Sequence, residues 1–134
     1  MGVTLGTLRR FEEAINSFKR ALEIDPENDD AWNNKGTAFF NLSRYPEALE
    51  SFNKALKINP ENYSAWAGKG SVLRFLEDYK EAVRCLEKFI EVNAGNPSPQ
   101  IEEAWAMILE LKILIQNEKS EKKLENRHKK TDDL

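Results

Sequence analysis

The sequence predicts an all-α solenoid of antiparallel helix pairs, closed by a C-terminal helix. Three observations carry that expectation: residues that return every 34 positions, small residues set at helical spacing among large ones, and proline-bearing breaks at the same interval. Ala14, Ala48 and Ala82 keep the step, as do Phe11, Tyr45 and Tyr79. So do the pairs Trp32 and Trp66, Gly36 and Gly70, Pro26 and Pro60, and the series Asn28, Asn62 and Asn96. A unit of that length holds two helices and their turns at about 1.5 Å rise per residue. One such unit cannot bury its apolar stripe alone, so units must stack.

In chain order, the patterning places helices at about 2–9, 12–24, 30–42, 46–58, 64–77 and 80–93. Trp32, Phe39, Ala48, Phe52 and Ala55 fall on inward faces of the second unit. Ala48, Ala55 and Gly36 let backbones approach, and Tyr45 and Phe52 fill the wedge between them. Asp25-Pro26 and Asn59-Pro60 end second helices, because the residue before proline avoids the α region. Asp29 or Asp30, and Ser64, are the expected caps of the helices that follow. Residues 94–98 read as a linker, after which Ser98 and Pro99 open a seventh helix with Ile101, Ala104, Trp105, Ile108 and Leu111 on its apolar arc. The expected organisation is a repeat array over 1–96 (partial unit 1–28, units 29–62 and 63–96), a capping helix over 97–117, and a charged tail over 118–134 that extends the helix or is disordered.

The series Trp32, Gly36, Phe39, Ala48, Phe52 and Pro60 resembles the tetratricopeptide repeat, and the resemblance covers roughly residues 2–96. It implies a right-handed superhelical solenoid in which the first helix of each unit lines a concave face. Lys35 and Lys69 depart from the pattern, standing where the family usually has leucine; a lysine stem can still lie along apolar surface. The third unit lacks its terminal proline, and about half of the first unit's first helix is missing.

Composition excludes several function classes. A net charge of −3 gives little pull towards nucleic acid or an anionic membrane. Cys85 is the only cysteine, so no intrachain disulfide can form and a reducing, cytoplasmic setting is expected. His128 is the only histidine and sits in the charged tail, so neither a zinc site nor a Cys–His nucleophile is available. Gly68-Lys69-Gly70-Ser71 lacks the earlier glycine that opens a phosphate loop ahead of its lysine. Neither an enzyme nor a cofactor is expected. The run from Lys119 to Lys130 reads as a solvated helix face without interleaved aromatics.

What the resemblance leaves is the groove, with an unknown protein or peptide as the expected partner. Its candidates are Asp30, Asn33, Asn34, Thr37, Phe40 and Asn41 in the second unit, and Ser64, Ala67, Gly68, Ser71, Arg74 and Phe75 in the third. The first unit adds only Val3, Gly6 and Thr7. Phe40 and Phe75 read either as peptide anchors or as side chains packed on neighbouring helices. A subtype of the family clamps a C-terminal carboxylate with lysine, arginine and asparagine. Asn34 fits that pattern, but Ser64, Gly68 and Val3 do not, which disfavours a chaperone-tail adaptor. The alternatives are a self-association module, pairing through the incomplete first unit or the C-terminal helix, and, with less support, an RNA-binding helical repeat.

Overall fold

The computed structural model describes residues 4–96 and 98–132. Six helices follow in order: α1 (Leu5–Ile24), α2 (Asp29–Asn41), α3 (Tyr45–Ile58), α4 (Tyr63–Phe75), α5 (Tyr79–Val92) and α6 (Pro99–Asp132). Among the described residues all regular secondary structure is helical, and each helix packs against the one before it. In addition α2 touches α4, the contact that stacks one helix pair on the next.

The helix starts depart from the expected caps. Asn28 Oδ1 accepts from the Ala31 amide at 3.0 Å, and Asn62 Oδ1 accepts from the Ala65 amide at 3.1 Å. Asparagine in extended backbone does what was expected of Asp29 or Asp30 and of Ser64. The carboxylates have another task. Asp29 Oδ2 accepts from Asn62 Nδ2 at 2.9 Å and from Asn59 Nδ2 at 3.1 Å, tying the start of α2 to the turn before α4. The two tryptophans stand in equivalent surroundings. Trp32 Nε1 donates to the Pro26 carbonyl at 3.0 Å and Trp66 Nε1 to the Pro60 carbonyl at 2.7 Å.

Inside each pair the turn is tight and unexpected. Ser43 and Glu77, which are 34 apart, hold φ of 58° and 64°. A non-glycine residue in the left-handed region costs about 1–2 kcal/mol. The packing of α2 on α3 and of α4 on α5 offsets that cost. At the equivalent position, Arg9, the chain does not turn: α1 runs unbroken where two helices, 2–9 and 12–24, were expected. Ahead of Arg9 the described residues offer Leu5, which is exposed, and Leu8, which is half-buried. Too little apolar surface is present there to offset a left-handed turn, and the local helix continues. Val3 and the start of the 2–9 stretch lie outside the described residues.

The core forms two joined clusters. Ile15, Phe39, Ala48, Phe52, Ala55, Ala65 and Val72 make the first; Leu73, Ala82, Cys85, Leu86, Ile108 and Leu111 make the second. Leu49 and Trp66 pack against both. Phe52 is only 1% exposed, and its ring lies between two glycines on different helices. A Cβ added at Gly36 would meet the ring at 2.8 Å, and one at Gly68 would come closer still. The pattern repeats one unit on, where a Cβ at Gly70 would meet Leu86 at 3.1 Å.

Candidate functional site

The expected groove residues come from the first helices of two pairs, α2 and α4. On α2, Asp30, Asn34, Thr37 and Asn41 are exposed, and Asn33 and Phe40 are half-buried. Thr37 Oγ1 donates to the Asn33 carbonyl at 3.2 Å, so its hydroxyl is occupied within the helix. Asp30 Oδ1 accepts weakly from Asn62 Nδ2 at 3.4 Å. Asn33 Oδ1 is buried and finds no hydrogen-bond partner among the described residues, a condition that costs about 1–3 kcal/mol.

On α4, Ser64 is exposed and Ala67 and Ser71 are half-buried. These three line one cleft between α4, α5 and the start of α6, with a volume of about 420 Å³. Tyr63, Leu86, Phe89, Gln100, Glu103, Ala104 and Met107 complete its walls. Of all its lining residues only Glu103 carries a charge. Ser71 Oγ donates to the Ala67 carbonyl at 3.1 Å. Gly68 belongs elsewhere: it is where the Phe52 ring passes under α4, so its role is packing.

The remaining candidates have other partners. Arg74 Nη2 bonds Glu110 Oε1 at 2.8 Å, which pins α4 to α6 and neutralises the cation. Phe40 and Phe75 form one cluster with Tyr45 at the far end of these helices. Ring centroids lie 5.5 Å apart for Phe40–Phe75, 5.7 Å for Phe40–Tyr45 and 5.1 Å for the stacked pair Tyr45–Phe75. Offset and edge-on arrangements at such distances are favourable. Phe75 nevertheless keeps 55% of its surface exposed.

Among the described residues two titratable groups are perturbed, and both report packing. Burial pushes the Cys85 thiol from 9.0 to about 11, so it stays protonated and unreactive at neutral pH. Lys35 is held below its ordinary value by burial first, then by repulsion from Lys19 and Lys54. Its ammonium lies 4.8 Å from the Trp32 ring centroid, and Lys54 lies 4.5 Å from the same centroid. The lysine in a leucine position thus keeps its stem on the aromatic surface. Among the described residues no three His, Cys, Asp or Glu side chains converge to hold a metal ion. No helix of the described residues is long and apolar enough to cross a membrane.

Gln100, Glu103 and Met107 were missed by the sequence reading. A signal existed: continued past residue 96, the 34-residue step carries Gly70 to Ala104 and Leu73 to Met107.

Stacked helix pairs with matching tryptophans, matching left-handed turns and an open cleft define a helical-repeat protein of the solenoid class. Three repeat models match stretches that together span residues 9–96, at 9–43, 29–62 and 63–96, and are described as TPR or tetratricopeptide repeats. The chain belongs to the tetratricopeptide repeat family. Solved structures share the fold. The first TPR of Spaghetti (RPAP3), bound to the HSP90 peptide SRMEEVD, aligns with a TM-score of 0.73 at 22% identity, covering 80% of this chain and 81% of that one. The Sgt2 TPR domain from Aspergillus fumigatus gives 0.74 at 24% identity, covering 84% and 72%. The TPR2B domain of yeast Sti1, in a complex with an Hsp70 peptide, gives 0.68 at 22% identity, covering 76% and 85%. No curated protein matches the chain.

Proposed function

We propose that this chain is a protein–protein interaction scaffold that holds a peptide or helix of a partner in its groove. We place the seat of that peptide in the cleft between α4, α5 and α6, and its approach along the exposed face of α2. The observation that carries the reading is the cleft itself: apolar walls from Phe89, Met107 and Ala67 beside the hydroxyls and amides of Tyr63, Ser64, Ser71 and Gln100. An apolar pocket with a few convergent polar groups is the usual form of a ligand site. Two of the similar structures carry chaperone peptides. In this chain Ser64 and Gly68 stand in place of clamp cations and Arg74 is bonded to Glu110, so an acidic C-terminal tail is not the ligand we expect. Glu103 favours a neutral or basic peptide with one large apolar side chain. The unit boundaries 1–96 for the array and 97–117 for the cap are part of this reading. So are a cytoplasmic setting for the lone buried thiol and the absence of any assigned reaction.

The test is selection of peptides from a random display library against the full chain, followed by affinity measurement on Ala67→Trp and Glu103→Lys variants. Binding should fall at least about tenfold in A67W, a loss of about 1.4 kcal/mol. Basic peptides should weaken in E103K and neutral ones should not. Binders indifferent to A67W would place the working surface elsewhere.

A further inference from the structure

The two ends of the array differ in what they leave uncovered. On α1, Phe11 and Phe18 are half-buried, and the exposed large apolar residues are Leu5 and Ile24 near its two ends. On α6, Trp105, Leu109 and Ile113 are 55%, 64% and 55% exposed at i, i+4 and i+8. Such a step drifts by about 40° per four residues on a helix of 3.6 residues per turn, so the three share one face. It is a different face from the one that Ala104, Ile108 and Leu111 bury. Continued along the helix, the same stripe passes Gln116 and Ser120 and reaches Leu124, also 55% exposed.

Charge says what covers it. Between Pro99 and Leu111 the helix carries Glu102, Glu103 and Glu110 and no lysine or arginine. From Lys119 to Lys130 it carries six basic residues and two glutamates. Every residue from Gln116 to Lys129 is exposed, so this half of α6 runs clear of the body. A solvated helical stretch of that length is marginal by itself. Laid antiparallel on a second copy of α6, its basic half meets an acidic half and Leu124 meets Trp105. The twofold axis makes both halves satisfied at once. In that register Leu109 opposes Ser120, and Glu102 opposes Arg127.

We propose that two copies of this chain pair through α6, antiparallel, over the stripe formed by Trp105, Leu109, Ile113 and Leu124. The surface is distinct from the peptide cleft, so the dimer presents two clefts to a partner.

The test uses the full chain. Its weight-average mass is followed by sedimentation equilibrium in a centrifuge from about 1 µM to about 1 mM, a range spanning weak to firm association. The mass should rise from 15.5 kDa towards twice that value. Leu109→Glu and, independently, Ile113→Lys should hold it at the monomer value with unchanged helix content, because both positions are exposed. Register is read by disulfide trapping, in which the buried Cys85 does not compete. A mixture of L109C and S120C chains should yield the mixed disulfide in preference to either homodimer. A monomer at every concentration would overturn the proposal. So would a dimer that survives both charge variants, or preferential L109C–L109C linkage, which a parallel pair requires.

Discussion

Replacing Gly68 with alanine should destabilise the protein, although alanine is the better helix former. In an open helix interior the change would gain about 1 kcal/mol. Here the new methyl overlaps the Phe52 ring, well inside the 3.5–4.0 Å that is optimal between carbon atoms. The ring has little room to retreat, because the backbone of Gly36 faces it on the other side, so close that even a Cβ there would lie 2.8 Å from the ring. Overpacking of this kind costs about 1–3 kcal/mol, so after the propensity gain a net loss of up to about 2 kcal/mol remains. Urea unfolding followed by helical circular dichroism should show an earlier midpoint for G68A. Phe52→Leu thins the wedge, and in its background the G68A penalty should largely disappear. Gly6, in α1 with nothing near its Cβ position, is the control: G6A should be neutral or mildly stabilising. A G68A midpoint at or above wild type, or a penalty untouched by F52L, would refute the reasoning.

Three further outcomes can be measured. Asn62→Ala should cost about 2–3 kcal/mol and Asn28→Ala about 1 kcal/mol in the same titration, since both cap a helix but only Asn62 also donates to Asp29 from a buried site. Ser43→Gly and Glu77→Gly should each stabilise by up to about 1 kcal/mol, because both positions hold positive φ; a loss at both would show that the turns are not strained. The Cys85 thiol has its pKa raised on folding, and its neutral form is the one the fold favours. The resulting stability is whole below pH 9.0 and is lost as pH rises towards about 11. Wild type should therefore lose about 2–3 kcal/mol relative to Cys85→Ala across that window, measured as the difference between their urea midpoints.

Much of the fold was legible because the repeat writes each packing rule more than once. Trp32 with Trp66, Gly36 with Gly70 and Ala48 with Ala82 could be read in pairs, and a coincidence in one unit is tested by the next. What escaped was either local competition or distant geometry. Asn28 and Asn62 were visible as a column, yet the acidic and hydroxyl neighbours were given the caps; a shift of one or two positions in the helix start separates the two readings. The fusion of α1 turned on an energy balance at Arg9 that residue type alone does not disclose. Of the candidate groove residues, Ser64, Ala67 and Ser71 could be grouped from the sequence because they lie on one helix face, and they line one cleft. The partnership of Arg74 with Glu110, and the ring cluster joining Phe40, Tyr45 and Phe75, depend on how α6 and α3 approach, and no spacing within a unit encodes that. Gly68 looked like an open groove position because its neighbour belongs to the preceding unit.

The ring of Phe52, seated between glycines of successive helix pairs, has a consequence for the array's geometry. It is a spacer whose thickness fixes how closely one pair rests on the next. In the following unit the same station is held by Leu86 beside Gly70, a differently shaped shim, and the position one step on from Gly68 is Glu102, which has a full side chain. The bend of the inner wall is therefore tuned by one residue per step, and exchanging phenylalanine and leucine between these stations would redraw its curvature while altering only one side chain of the cleft wall, Leu86.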